Sequence, residues 1–138
     1  MATKNDKNKN KKKTNKIGVK WLLEPDVHNY PAAESYLNLV LSPASKISPL
    51  LVVTALRTAP VVTFKAKDIF RASKESLLGV SNFHVKQNIK KIKNGVAISP
   101  ILLVRDHNNG KVIIADGYHR LCAMYRFNED EDVPCKIV

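Results

Sequence analysis

The sequence has few of the features that mark membrane, disulfide-stabilised or metal-binding proteins. It contains no apolar run near the roughly 18 to 20 residues that span a bilayer, and no apolar core of a signal peptide near its start. Its two cysteines, Cys122 and Cys135, form no CxxC pair, and no His/Cys cluster has the spacing of a transition-metal site. We therefore expect a soluble, cytoplasmic protein, without a membrane partner, whose two thiols are reduced and structural.

Acidic residues are also scarce, with 12 Asp and Glu against 23 Lys and Arg. The basic excess is uneven, because residues 1–16 hold seven lysines and one aspartate with almost nothing apolar. This composition predicts a disordered basic tail over 1–16. Such a tail either solubilises the protein or binds nucleic acid or another acidic partner by counterion release.

The remaining residues, 17–138, are enough for one domain, which the 44% hydrophobic content can supply with a core. Residues 17–60 are predicted to be a helical N-terminal extension. A proline suits the first turn of each of its two helices, which are expected from Pro31 to Leu41 and over Leu50–Leu56 after Ser48-Pro49.

Residues 61–138 are predicted to form the core, in which strand and helix patterns alternate. Asn82 is suited to cap a basic amphipathic helix over 83–93, and a second helix is expected from Tyr118 to about Phe127. A shorter helical turn is expected over 66–71. Strands are expected at 61–64, 101–105, 111–115 and 133–138, with a hairpin turn at 107–110. The fold class is therefore α+β, with a small mixed sheet and surrounding helices.

The most informative segment is Asp116-Gly117-Tyr118-His119-Arg120, where a strand turns on glycine into a helix. The first amides of a helix lack intrahelical acceptors and lie at the positive end of the helix dipole. A His and an Arg in that first turn oppose the dipole unless an anion binds between them and the amides. The pattern predicts a phosphate site.

Each side chain of this segment has a predicted role. Arg120 offers a planar fork for two phosphate oxygens, and His119 can donate a hydrogen bond and carry a proton near neutral pH. Asp116 has two open roles: it caps the helix, or it holds a magnesium ion or a water. His84, near the start of the 83–93 helix, is a weaker candidate for the same site.

The run from Ile101 to Val138, with its SPILLV strand, IIADGYHRLCA junction and closing VPCKIV strand, resembles the ParB/sulfiredoxin superfamily, which includes ParB N-terminal domains, sulfiredoxins and free serine kinases. The resemblance covers about 61–138 and leaves 17–60 unexplained. In those families the equivalent turn binds nucleotide phosphates. The resemblance therefore implies that Gly117, Tyr118, His119 and Arg120 form the nucleotide site. It also implies that Asp116 and His119 are the catalytic candidates.

The departures from these relatives narrow the expected activity. Sulfiredoxins place a catalytic Cys directly before the His-Arg pair, where this chain has Tyr118, so sulfinic acid reduction is disfavoured. The nearest thiol, Cys122, stands one turn later among apolar residues. ParB proteins differ in two ways: they carry another motif at this turn, and a helix-turn-helix domain follows it. The Asp-Gly-His-His-Arg motif of free serine kinases is matched here at every position except Tyr118.

We expect a nucleotide of the ATP, ADP or CTP type, with Mg²⁺, bound at this junction, and phosphoryl transfer or nucleotide hydrolysis as the possible reaction. The alternative is a nucleic-acid-binding or nuclease-like module, in which the same turn grips a backbone phosphate. The tail and the 83–93 helix, with a basic surface formed by Lys65, Lys67, Arg71, Lys86, Lys90, Lys91 and Lys93, would then supply affinity. A third interpretation is an inactive interaction scaffold.

Overall fold

The computed structural model describes residues 18–138, so the predicted basic tail lies outside the described residues. The helices are α1 (Asn29–Val40), α2 (Pro49–Thr58), α3 (Ala66–Ser73), α4 (Phe83–Lys93) and α5 (Tyr118–Phe127). The strands are β1 (Val62–Lys65), β2 (Ile101–Asp106), β3 (Lys111–Asp116) and β4 (Asp132–Ile137). The α+β class with a mixed sheet is confirmed, and no helix of the described part is long and apolar enough to cross a bilayer.

The four strands form one sheet in the order β1-β4-β2-β3. The central pair, β2 and β4, is parallel, and each outer strand is antiparallel to its neighbour. The β2–β3 hairpin closes through a short 3-10 turn at His107–Asn109, followed by Gly110 at φ +60°. This turn confirms the hairpin predicted from the Asn-Asn-Gly sequence, because glycine adopts positive φ without strain.

Helices cover both faces of the sheet. On one face, α3, α4 and α5 pack over alternate sheet residues that include Ile101, Leu103 and Ile114. On the other face, α1 and α2 pack over Leu102, Val104 and the remaining alternate residues. The first four positions of β2, Ile101–Val104, are therefore all buried, which is why this part of the strand is a continuous apolar run. The segment predicted as a helical extension is thus a packed layer of the fold.

The local signals at the helix ends act as the sequence predicts. Ser48 accepts a hydrogen bond from the amide of Leu51 at the start of α2, and Asn82 accepts from the amides of His84 and Val85 at the start of α4. The segment predicted as a brief turn over 66–71 extends to an eight-residue helix, α3.

The acidic loop after α5 provides the acceptors at the start of α3. The amide of Ala66 donates to the carbonyl of Glu131, and that of Lys67 donates to the carbonyl of Glu129. The side chains of Glu129, Asp130 and Asp132 are exposed, so the loop is solvated on its outer side while its backbone contacts α3. Its backbone carbonyls satisfy helix amides that no side chain caps.

Candidate functional site

The predicted junction lies where β3 ends and α5 begins. Gly117 is the N-cap of α5 with φ +107°, a left-handed conformation that side chains disfavour. A Cβ at this position would lie 2.5 Å from Ile101 Cδ1 and 2.8 Å from Arg120 Nη2. Both the dihedral angle and the close packing therefore require glycine.

The amino end of α5 has no side-chain cap. The amide of Leu121 donates to the carbonyl of Gly117 at 2.9 Å, the first bond of the helix ladder. Within residues 18–138, the three preceding amides, of Tyr118, His119 and Arg120, donate to no acceptor. These donors lie at the positive end of the helix dipole, which is the arrangement that binds anions in other proteins.

Arg120 is held by internal acceptors. Its Nη2 lies 3.0 Å from Asp116 Oδ2 and 3.2 Å from the carbonyl oxygen of Pro100, and its Nε donates to the carbonyl oxygen of Ser99 at 3.1 Å. Both side chains of the Asp116–Arg120 pair are 17% exposed. The guanidinium therefore joins the start of α5 to the segment before β2.

This arrangement excludes one of the two roles predicted for Asp116. The capping role is wrong, because Gly117 occupies the N-cap and no side chain bonds the first amides. Asp116 Oδ2 accepts from Arg120, whereas Oδ1 has no hydrogen-bond donor among the described residues. One carboxylate oxygen is thus left for a further partner.

His119 lies beside His84, with ring centroids 4.8 Å apart and the planes tilted by 48°. The first turns of α4 and α5 therefore meet at these two imidazoles. Burial lowers the pKa of His119, and the neighbouring His84 lowers it further. His119 is accordingly neutral at pH 7, able to donate from one ring nitrogen and accept at the other.

Tyr118 points to the segment after α3. Its hydroxyl donates to the carbonyl oxygen of Ser76, and its pKa is raised to about 12, chiefly by burial. Cys122, one turn later, is buried and free, and burial also raises the pKa of its thiol. A buried thiol with a raised pKa is a poor nucleophile, so this cysteine is part of the core. Cys135 is likewise free and buried.

A cleft of about 370 Å³ opens beside the junction. Its floor is β3 and the start of α5, including Gly117 and His119. One wall is α1, and the other is the end of α3 with the segment that follows it. Three carboxylates line the cleft, those of Glu75, Asp106 and Asp116, against the single lysine Lys111. Its size suits a small ligand, and its charge disfavours a polyanion without a counterion.

Part of the predicted basic surface is neutralised. Lys65 lies 3.3 Å from Asp132, Lys67 2.6 Å from Asp130, and Arg71 3.3 Å from Asp68. The lysines of α4 are exposed and form no ion pair with any residue of the described part: Lys86, Lys90, Lys91 and Lys93.

The structure thus brings Asp116, Gly117, His119 and the amide of Tyr118 to one end of the cleft and turns the Arg120 guanidinium inward. Glu75 and Tyr36, for which the sequence carries no local signal, also line the cleft, and His84 lies beside His119. His84 is the second residue after the Asn82 cap, and that cap is the signal that places it in the first turn of a helix. Across residues 18–138 there is no cluster of three or more potential metal ligands.

The chain matches no protein-family model, no curated protein and no solved structure.

Proposed function

We propose that the amino end of α5 binds the phosphate of a nucleotide. The observation that carries the proposal is the set of three consecutive amides, those of Tyr118, His119 and Arg120, without acceptors among residues 18–138. Gly117 lines the cleft, and the positive end of the helix favours an anion there. The resemblance of the ADGYHR segment to the motifs of nucleotide-binding families supports the same ligand.

In this proposal His119 donates a hydrogen bond to the phosphate, with His84 beside it. Arg120 is a positioning residue, since its contacts with Asp116 and two carbonyls fix the turn that presents the amides. Asp116 and His119 remain the candidates for catalysis should phosphoryl transfer or hydrolysis occur.

Magnesium fits this site only if phosphate oxygens supply some of its ligands. The described residues supply a single free carboxylate oxygen beside the amides, Asp116 Oδ1. Magnesium commonly binds one or two carboxylates and completes its shell with phosphate oxygens and water. Because carboxylates outnumber cations in the cleft, Mg²⁺ would also offset their repulsion of a di- or triphosphate.

The test is thermal unfolding of the full chain with ADP, ATP or CTP, each with and without Mg²⁺. A nucleotide at about 100 times its Kd adds about 2.7 kcal/mol to the free energy of unfolding. We expect stabilisation that requires Mg²⁺ and is lost in His119→Ala. His28→Ala is the matched control, because His28 is an exposed residue just before α1. Equal responses of the two variants, or no response to any nucleotide, would refute the proposal.

The unpaired lysines of α4 favour a second candidate, binding of a nucleic-acid backbone. Lys91 stands seven residues after His84, so both lie on one side of the helix. Neutralising a few phosphates makes affinity fall steeply with salt. Binding of a duplex that weakens in Lys90→Gln/Lys91→Gln, with a reduced salt slope, would support this candidate, whereas unchanged binding would exclude it.

A further inference from the structure

β3 is an outer strand of the sheet, and its free edge faces the cleft. The hydrogen bonds of β2 determine which backbone groups of β3 point outward. The amide of Arg105 donates to Val138 O at 2.7 Å, and Leu103 O accepts from the amide of Val138 at 3.3 Å. Since both backbone groups of a strand residue point the same way, the odd-numbered residues of β2 face β4 and the even-numbered ones face β3.

The register then identifies the outward groups of β3. Val104 is opposite Ile113 and Asp106 is opposite Lys111, so these pairs exchange the ladder hydrogen bonds. The amides and carbonyls of Val112 and Ile114 consequently point away from β2, and no hydrogen bond joins them to another residue of the described part. Ile114 is only 6% exposed. Backbone groups at such a position need a partner, from water or from another chain.

The cleft beside this edge, of about 370 Å³, lies between two walls. Ala32, Tyr36 and Val40 stand four residues apart along α1 and form one stripe of the first wall. Ser73 and Glu75 form the second wall. Burial raises the pKa of Tyr36 and Glu75 raises it further, so the walls lie within electrostatic reach of each other.

The chemistry of the walls differs. α1 covers the face of the sheet to which Ile113 and Ala115 point, whereas α3 and the segment after it lie over the face of Ile114. A chain added beside β3 would alternate its side chains between these two faces. One set would meet Tyr36 and Val40, and the other would meet Glu75, which has no ion-pair partner among residues 18–138.

We propose that this groove binds an extended peptide that joins the sheet as a fifth strand, with apolar side chains toward Tyr36 and Val40 and basic side chains toward Glu75. Main-chain hydrogen bonds to Val112 and Ile114 would provide affinity, and the alternating walls would provide selectivity. The proposal is independent of the phosphate site, which uses the amides of α5.

The experiment titrates the full-length protein, labelled with ¹⁵N, with the peptide acetyl-Lys-Val-Lys-Val-Lys-Val-amide. We expect saturable shifts of the Val112 and Ile114 amides and slower hydrogen exchange at both. The peptide acetyl-Glu-Val-Glu-Val-Glu-Val-amide is the charge control and should bind at least about fivefold more weakly. Equal affinity for both peptides, or shifts confined to other residues, would overturn the proposal.

Val112→Pro is the decisive variant. It removes an outward amide that the sheet does not use, and proline is tolerated at edge positions of this kind. We expect the variant to fold, to lose at least about tenfold in peptide affinity and to keep the nucleotide response of the parent. His119→Ala should show the converse pattern, which separates this proposal from the phosphate proposal.

A second variant covers the case in which Val112→Pro fails to fold. Glu75→Lys is an exposed substitution that should bring the two peptides closer in affinity or reverse their order. Sedimentation of the peptide-free protein tests a competing occupant. Concentration-dependent dimerisation that a folded Val112→Pro variant abolishes would assign the edge to a second copy of the chain and overturn the peptide proposal.

Discussion

At the scale of single residues, Arg120 has a different environment from the one its position predicts. An arginine in a first helical turn opposes the dipole, so the sequence alone predicts that its removal leaves the unliganded protein equally stable or slightly more so. In the structure its guanidinium has one carboxylate and two carbonyl acceptors. The internal contacts outweigh the dipole term of a few tenths of a kcal/mol.

We therefore expect Arg120→Ala to lower the free energy of unfolding by about 2 to 4 kcal/mol, because it leaves Asp116 without its partner in a largely buried position. Chemical denaturation of the unliganded protein measures this. Asp116→Asn is the matched variant, which keeps an acceptor for Arg120 and should lose less. A loss below about 0.5 kcal/mol for Arg120→Ala would mean that the guanidinium is free to bind a ligand.

His119 makes stability and anion binding depend on pH. Its folded-state pKa lies below the ordinary 6.5, so the unfolded chain takes up the proton first as the pH falls. Its contribution to the free energy of unfolding is therefore unchanged above about pH 6.5 and becomes destabilising as the pH falls from 6.5 through the lower folded value. Replacing His119 with Asn should flatten the stability profile over this window, as measured by thermal unfolding between pH 5 and 7.5.

A bound phosphate should raise the pKa of His119, because an anion favours the charged imidazole. Titration of the imidazole signals by NMR, with and without ADP and Mg²⁺, checks this, and His28 serves as the internal control. An unchanged pKa of His119 in a saturated sample would place the anion elsewhere.

The partners of Lys136 could not be predicted from the sequence. It lies in β4, where it is 1% exposed, and its Nζ donates to Arg57 O at 3.0 Å and lies 3.1 Å from Glu24. Burial lowers its pKa, but hydrogen bonds with Tyr30 and Glu24 prevail and raise it above the ordinary value. Its partners are more than 70 residues away in the chain, so no local pattern reports them.

At the scale of elements, the helices and strands were predictable where turn and cap chemistry is strong. The predicted bounds of α5 are those observed, and β2 differs from its predicted range by one residue. The strand order β1-β4-β2-β3 and the double covering of the sheet were not predicted. The apolar runs of β2 and β3 did carry a signal for burial on both faces, since a strand with one solvated face alternates.

The start of α5 depends on Gly117. In Gly117→Ala the new Cβ meets Ile101 and Arg120, and alanine must adopt φ +107°. We expect a loss of about 1 to 3 kcal/mol in the free energy of unfolding, measured by denaturation, and loss of the nucleotide response. Gly79→Ala is the matched control, because a Cβ there would meet nothing within 4 Å. Equal effects of the two substitutions would remove the special role of this turn.

At the scale of the whole molecule, the apolar clusters on the two faces of the sheet make α1 and α2 part of the core. Leu37 of α1 and Leu56 of α2 are fully buried against the sheet residues Leu102 and Val104. The sequence predicts one domain over 17–138, although the expected resemblance covers only about 61–138. The packing indicates that 61–138 does not fold alone, because it would leave one face of the sheet uncovered.

A chain lacking residues 18–60 should not unfold cooperatively, because it exposes an entire face of the sheet. Each large apolar side chain left exposed costs about 1.5 to 3 kcal/mol of stability. The total stability of a domain is only roughly 5 to 15 kcal/mol. Calorimetry and near-ultraviolet circular dichroism measure this.

Leu37→Ala is a smaller perturbation of the same contact. We expect it to lower the free energy of unfolding by about 2 to 5 kcal/mol. Leu39 lies on the same helix but is 85% exposed, so Leu39→Ala should lower it by less than about 0.5 kcal/mol. Removing 1–16 instead should leave the transition unchanged, as its composition predicts. A cooperative transition in the chain without 18–60 would show that 61–138 is autonomous, and that α1 is needed only as a wall of the cleft.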